Sequence, residues 1–316
     1  MAGITLAQVD PNRVVATVNG VQIKGGEYYH RMEFLPGVGR NLGDRFAEFP
    51  PGFLTLEQLI TEKLIYQLAK EKDVMPTDAD VQDELNYRLS RNPLLKEQWA
   101  ATGQTEADLT NGIKFDLAQF NILTAGITVT DQEAEKHYKD YPTDFTTPTQ
   151  YTLRVIVVRN ATDADIVDKE LAAGKAFADV AKAHSADLTA GRGGEYGTVP
   201  SERLSDQVRM ALQSMKDGET TPWFSASNNS GPGADVAKFK FLLEKTTPPK
   251  LLPLTPDLKR GIRQQMMMDL GKTKNPIKEE LDALRAKATI DITEKGFAEA
   301  YKKFVDAYLK ASGGKG

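Results

Sequence analysis

The sequence predicts an α+β protein, mostly helical, with a small antiparallel sheet in its middle third. Three observations point there. Capping-box spacings open a series of amphipathic helical patterns within residues 1–145. Residues 151–158 alternate along a strand, and the apolar run 239–243 supplies a second one. After residue 256 the periodicity is helical again. At 316 residues the chain has room for two or three domains, each able to bury its own core.

The elements follow in order. Residues 14–18 and 21–23 are short apolar runs joined by Asn19-Gly20, a pair suited to the positive φ angles of a type I′ hairpin turn. After Gly25-Gly26 the pattern turns helical. Thr55 with Gln58 has capping-box spacing, and Leu56, Leu59, Ile60, Leu64 and Leu68 share one helical face. Thr77 with Asp80, Thr105 with Asp108 and Thr130 with Glu133 open three further helices. The second of these carries Leu109, Ile113, Leu117 and Phe120, and the third ends near Tyr141-Pro142. The stretch Asp144 to Gln150, rich in threonine and with Pro148, has linker composition, so a boundary is placed there. Pro248-Pro249 mark a second boundary, because proline has no N–H with which to continue a central strand. The expected domains are therefore 1–145, 146–248 and 249–316. In the last, residues 257–268 and 276–288 are helical, 289–292 is a short apolar segment, 297–309 is helical, and 312–316 is a disordered tail.

Composition excludes several classes. Hydrophobic residues at 40% and charged residues at 27% describe a globular chain. The net charge is −4, with 40 basic and 44 acidic side chains well mixed, which gives nucleic acid no basic stripe to bind. No apolar run approaches the roughly eighteen residues of a membrane span. There is no cysteine, hence no disulfide, thiolate metal site or thiol nucleophile. Residues 1–12 lack the basic start and apolar core of a signal segment, so an exported protein would have lost its signal or lipid anchor ahead of Met1. No cofactor or metal is expected.

The densest motif is Ala183-His184-Ser185-Ala186-Asp187 followed by the glycine-rich run from Gly191 to Gly197. Around it the order is strand, two helices, Ser-x-Asp, glycine turn, helix, Gly218-Glu219 and a last apolar strand. Over residues 151–245 this resembles a parvulin-type peptidyl-prolyl isomerase domain. Further echoes lie outside it: Ala16-Thr17-Val18-Asn19-Gly20, Leu56-Glu57-Gln58-Leu59-Ile60 with Lys63-Leu64, and Val129-Thr130-Asp131-Gln132-Glu133 with Tyr138. With these, nearly the whole chain is similar to the SurA/PrsA group of extracytoplasmic foldases. The resemblance implies a helical chaperone lobe, built from the N- and C-terminal segments, with the isomerase-like domain inserted between them.

Family members use two histidines, a nearby Cys or Asp, and an apolar pocket. By resemblance Asp187 takes the Cys/Asp position and Ser185 keeps the preceding serine. Leu204 and Val208 take pocket positions where methionine and phenylalanine are usual, and Met215 joins them in binding substrate. The first family histidine is expected at Arg154; the second falls within residues 237–241, at Lys238 or Lys240. The catalytic set expected on this reading is Asp187, Arg154 and Ser185. With both imidazoles absent, isomerase activity is expected to be weak or lost, although Arg154 and a lysine beside Asp187 would hold its carboxylate charged.

Plainer readings stand beside these. Asp187 is equally suited to bracing the loop into Gly191. His184 has a structural position at a helix end, and His30 and His137 read as surface residues. The glycine run lacks the Lys-Ser/Thr of a phosphate loop. Met266-Met267-Met268 is either a plastic binding patch or, as is commoner, partly core. The expected function is a foldase or chaperone for unfolded, proline-containing, exported polypeptides. An active prolyl isomerase with a substrate-delivering helical lobe is the alternative, and a secretion scaffold a third. Localisation is expected to be extracytoplasmic; the oligomeric state stays open, a dimer included.

Overall fold

The computed structural model describes residues 10–35, 39–42, 45–225, 237–293 and 296–311. The expected tail at 312–316 lies outside the described residues.

The chain opens with a hairpin of β1 (Val14–Val18) and β2 (Val21–Lys24). Asn19 and Gly20 join them with φ of 48° and 82°, the left-handed pair a type I′ turn requires. α1 (Gly25–Glu33) and a ribbon of β3 (Gly39–Leu42) and β4 (Arg45–Glu48) follow. Next come α2 (Pro51–Glu71), α3 (Asp78–Arg91), α4 (Leu95–Ala100), α5 (Glu106–Leu123) and α6 (Asp131–Asp140). Full capping boxes start α3 at Thr77/Asp80 and α5 at Thr105/Asp108. Thr130 and Glu133 exchange the same bonds ahead of α6.

The box expected at Thr55 is not formed. α2 starts at Pro51, whose missing N–H is one that the first helical turn leaves unpaired anyway and whose fixed φ suits a helix. Thr55 lies inside the helix, fully buried, and its Oγ1 donates to the Pro51 carbonyl at 2.9 Å.

The middle of the chain contains β5 (Thr146–Thr147), β6 (Gln150–Val158), α7 (Ala161–Ala172), α8 (Phe177–His184) and β7 (Glu195–Pro200). It continues through α9 (Asp206–Gln213), β8 (Phe224–Ser225), β9 (Lys238–Thr247) and β10 (Lys250–Leu251). The C-terminal part is α10 (Pro256–Lys274), α11 (Ile277–Lys287), β11 (Ile290–Ile292) and α12 (Ala298–Ala311). α10 therefore continues past the expected end at 268.

The described residues form two compact units. One combines residues up to Ala134 with those from Pro256 onward. Its closure is carried by β11, which pairs antiparallel with β1 (Ala16 opposite Ile292, Val18 opposite Ile290) and completes a three-stranded sheet. Against that sheet α2 buries Leu56, Leu59, Ile60 and Leu64. Phe53 sits among the rings of Phe49, Phe297, Tyr301 and Phe304 at centroid distances of 5.3, 6.2, 6.4 and 5.6 Å. A second cluster joins Ile65, Leu68 and Ala69 of α2 to Ala118 and Ile122 of α5. Because α2 is buried on more than one side, its pattern is apolar around much of its circumference. No helix among the described residues is long and apolar enough to cross a membrane.

The other unit is Glu135–Thr255. It extends past the 146–248 span suggested by composition because β5 pairs with β10 and the Tyr138 hydroxyl donates to the Leu252 carbonyl at 2.6 Å. Its sheet has the order β7-β6-β9-β8, antiparallel throughout, with a hydrophobic cluster on each face. One face carries Ile156, Val158 and Leu242 against α7 and α8. Near it Lys240 is buried, donating to Asp168 Oδ1 at 2.6 Å and lying 5.0 Å from the centre of the Trp223 ring. Burial works to raise the Asp168 pKa, but the hydrogen bonds from Lys240 and Trp223 outweigh it and hold the carboxyl below its ordinary value.

Two expectations follow. Phe53→Ala lowers the unfolding free energy by about 3–5 kcal/mol in urea titrations, because four rings lose their centre; a loss below about 1 kcal/mol would show that the ring cluster does not seal the first unit. Asp168→Asn lowers the melting temperature near neutral pH by leaving Lys240 buried without its counter-ion. A depressed carboxyl stabilises the fold above its unfolded pKa, about 4, and that contribution disappears as pH falls through the lower folded value. The two melting curves therefore converge below about pH 4, and a difference that stays constant down to acid pH contradicts the assignment.

Candidate functional site

The second face of the middle sheet holds an apolar cluster, the cup, packed between the sheet and α9. From residue 153 onward β6 alternates strictly: Leu153, Val155 and Val157 face one way, Arg154, Ile156 and Val158 the other. Phe239, Phe241 and Leu243 of β9 join the first set, covered by Val208 and Leu212 of α9. Val208 and Leu212 are one helical turn apart, so α9 lays both on the sheet. Leu204 and Met215, at either end of α9, complete the wall, with Phe224 of β8. The three residues expected to bind substrate, Leu204, Val208 and Met215, thus share one cluster. Val208 is almost fully buried, whereas Leu204 and Met215 are half-buried.

At the centre of this face, Val155 and Phe241 are direct cross-strand partners, 2% and 5% exposed. A chain of rings extends from there. Tyr196, half-exposed, lies edge-on to Phe241 at 5.4 Å, Phe241 lies 5.6 Å from Phe239, and Phe239 lies 5.4 Å from Phe224. Each pair falls within the favourable range for offset or edge-to-face aromatic contact.

The polar residues are arranged otherwise than expected. Arg154 does not line the cup; it belongs to the opposite face. Its Nε donates to Glu244 Oε1 at 2.5 Å, and Nη1 donates to the carbonyls of Arg192 and Gly193 at 3.2 and 3.1 Å. It is a brace for the glycine turn. Lys240, one of two positions expected for the second histidine, also faces away and pairs with Asp168. The cause is register: Arg154 stands opposite Leu242 and Ile156 opposite Lys240, and one step along a strand reverses the face.

Ser185 and Asp187 shape the loop that follows α8. Ser185 Oγ accepts from the backbone N–H groups of Val157 and Asp187 at 3.1 and 3.2 Å, and the Ala186 N–H donates to the Val157 carbonyl at 2.8 Å. The loop is thereby stitched to β6. Asp187 Oδ1 accepts from the Thr189 N–H and hydroxyl at 2.8 and 2.5 Å, the bracing geometry of an Asx turn. The ion pairs of Arg154 and Lys240 go to Glu244 and Asp168, not to Asp187. The turn needs its glycines: Gly193 and Gly194 have φ of 70° and 75°, and a Cβ on Gly194 would lie 2.3 Å from the Val155 carbonyl oxygen.

His184 pairs with Glu170 at 3.1 Å, which is the structural position read for it. His30, read as a surface residue, is partly exposed and also bridges α1 to Asp108 of α5 at 2.8 Å. Among the described residues no three His, Asp or Glu side chains converge as metal ligands. The residues that sequence reasoning missed are Val155, Phe241, Phe239 and Tyr196. For the first three the signal is the odd-numbered alternation of β6 and β9, which separates the cup from its back; Tyr196 lies on β7.

The comparisons agree with this geometry. Residues 129–250 match the family described as the PPIC-type PPIASE domain. The foldase protein PrsA of Clostridium botulinum (strain Loch Maree / Type A3) is 30% identical over 229 residues, covering 65% of this chain and 68% of that one. PrsA of Caldanaerobacter subterraneus subsp. tengcongensis is 28% identical over 222 residues, covering 65% of this chain and 67% of its own length. A helical unit closed by both chain ends, a middle β-rich unit and these likenesses coincide, and the chain belongs to the PrsA family of foldases with a parvulin-type peptidyl-prolyl isomerase domain.

Proposed function

We propose that the middle unit grips proline-containing segments of unfolded, exported polypeptides and rotates their X-Pro bonds weakly or not at all, while the helical unit holds unfolded chain. The observation that carries this is the Val155–Phe241 pair at the middle of the cup. In the family two histidines work beside the catalytic Cys or Asp. We read Val155 and Phe241 as standing in that polar pair's place, because they are the central one of three cross-strand pairs on that face, between Leu153–Leu243 and Val157–Phe239.

The physical reason is differential binding. Rotation about X-Pro meets a barrier of about 18–20 kcal/mol, and only contacts that strengthen in the twisted amide lower it. An apolar cup of Leu204, Val208, Met215 and Phe241 binds the ring of cis and trans proline alike, which favours holding over turning. Asp187 is already engaged by Thr189, and Arg154 by Glu244 on the other face. In this reading Ser185 and Asp187 keep the loop in shape rather than act on the substrate.

The second reading, an active isomerase, is favoured by one observation: the wall positions Leu204, Val208 and Met215 still converge on one apolar surface, with the Ser185–Asp187 loop stitched to β6. In either reading the clients lie outside the cytoplasm, as expected of an extracytoplasmic foldase.

A protease-coupled proline peptide assay separates the two. The expected result is a rate within about tenfold of the uncatalysed isomerisation, which takes tens to hundreds of seconds, together with suppressed aggregation of a reduced, unfolded client. An acceleration of a hundredfold that Asp187→Ala abolishes would establish the enzyme reading instead. Leu204→Ala is expected to weaken binding of a proline peptide by about 1–2 kcal/mol, roughly five- to thirtyfold in affinity. Unchanged affinity removes the cup from the binding surface.

A further inference from the structure

Helix α5 carries a glycine that the fold itself does not use. Glycine weakens a helix interior, so it persists where packing or an unusual φ requires it. Other helical glycines meet that condition: a Cβ on Gly52 would lie 2.4 Å from the Tyr28 hydroxyl, and one on Gly271 would lie 2.3 Å from the Leu123 carbonyl oxygen. Gly112 differs. Its φ is not positive, and among the described residues a Cβ built there meets no heavy atom within 4 Å outside its own stretch of helix. The space beside it belongs to a groove of about 850 Å³ between α1, α2 and α5, within the size range of ligand sites.

The groove exposes more apolar than polar surface, with Gln104, Asn111 and several charged side chains on its walls, and it is electrically balanced. Phe34, Tyr66, Met75, Trp99 and Phe115 line it with Gly112. Its charged wall residues are matched with partners of opposite sign: Lys63 with Glu27 at 2.6 Å, Arg31 with Glu62 at 2.8 Å, Lys114 with Asp78 at 3.3 Å. His30 bonds Asp108 at 2.8 Å. A charged guest side chain would lose its hydration there and gain no free counter-ion, whereas an apolar one loses only contact with water. Met75, 37% exposed at the rim, is the adaptable kind of side chain that suits guests of varied shape.

We propose that this groove, opened by Gly112, seats a bulky uncharged side chain, aromatic or aliphatic, from an unfolded client segment. The proposal rests on the chaperone reading above and assigns its binding site. Gly112 leaves the room that the guest fills.

The test uses the whole chain and a fluorescein-labelled, proline-free unfolded peptide bearing Phe and Leu, followed by anisotropy. Freedom from proline keeps the cup of the middle unit out of the measurement. Gly112→Leu is expected to melt no lower than the parent, because leucine is the better helix former, and to bind at least tenfold more weakly. Met75→Glu, on the exposed rim, is expected to weaken binding likewise, and a peptide with Phe and Leu replaced by Ser to lose it. Parent-like affinity in either folded variant, or equal binding of the Ser peptide, overturns the groove assignment while leaving the chaperone reading intact. If Gly112→Leu does not fold, Met75→Glu decides. A parent chain that binds no unfolded peptide and suppresses no aggregation sinks the chaperone reading itself.

Discussion

The pairing of β6 with β9 runs the full length of β6 and fixes which side chains meet on either face of the middle sheet. β6 has a neighbour on both edges, so its backbone donors and acceptors are taken up by β7, β9 and the Ser185–Ala186 loop. With the ladder fixed, alternation does the rest. Val155 and Phe241 go to the cup; Arg154, Ile156 and Lys240 go to the back. A shift of one residue would exchange these sets and place an arginine and a lysine in the cup. The chemistry available to the site is therefore a consequence of register.

The same ladder explains why the polar residues are structural. An arginine on the α8 face cannot stay unpaired in a half-buried place, and it finds Glu244 and the carbonyls of the glycine turn. Lys240 meets the equivalent demand with Asp168 and the Trp223 ring. Both cations hold elements together behind the sheet, so the side under α9 is left to hydrocarbon and aromatic surface. Apolar contact of this kind is non-directional and discriminates poorly between planar and twisted amides.

In the helical unit the corresponding constraint is chain closure. β11 lies more than two hundred and seventy residues from β1 in sequence, yet pairs with it, and Thr293 and Thr289 add side-chain and backbone bonds to the same edge. The rings of Phe297, Tyr301 and Phe304 then close over Phe53 at the start of α2. These pairings join segments far apart in sequence, which makes this a non-local core despite its helical content. Its apolar groove lies on another side of α2, lined by Tyr66 and ringed by paired charges.

The amino-acid sequence on its own determined whatever depends on near neighbours. The Asn19-Gly20 turn, the capping boxes at Thr77, Thr105 and Thr130, and the Ser-x-Asp and glycine motif all follow from interactions spanning a few residues. Thr55 misled because Pro51, four places earlier, supplies a competing start of equal locality. The face of Arg154 was legible in principle from odd and even alternation, but the irregularities in pairing near Leu153 obscure the phase until the partner strands are in place. Tertiary structure alone decided the rest: that His30 finds Asp108, that Val155 meets Phe241, and that no described residue fills the space beside Gly112. Those facts depend on groups brought together from distant parts of the chain, and periodicity specifies which face a side chain takes without specifying what it will meet there.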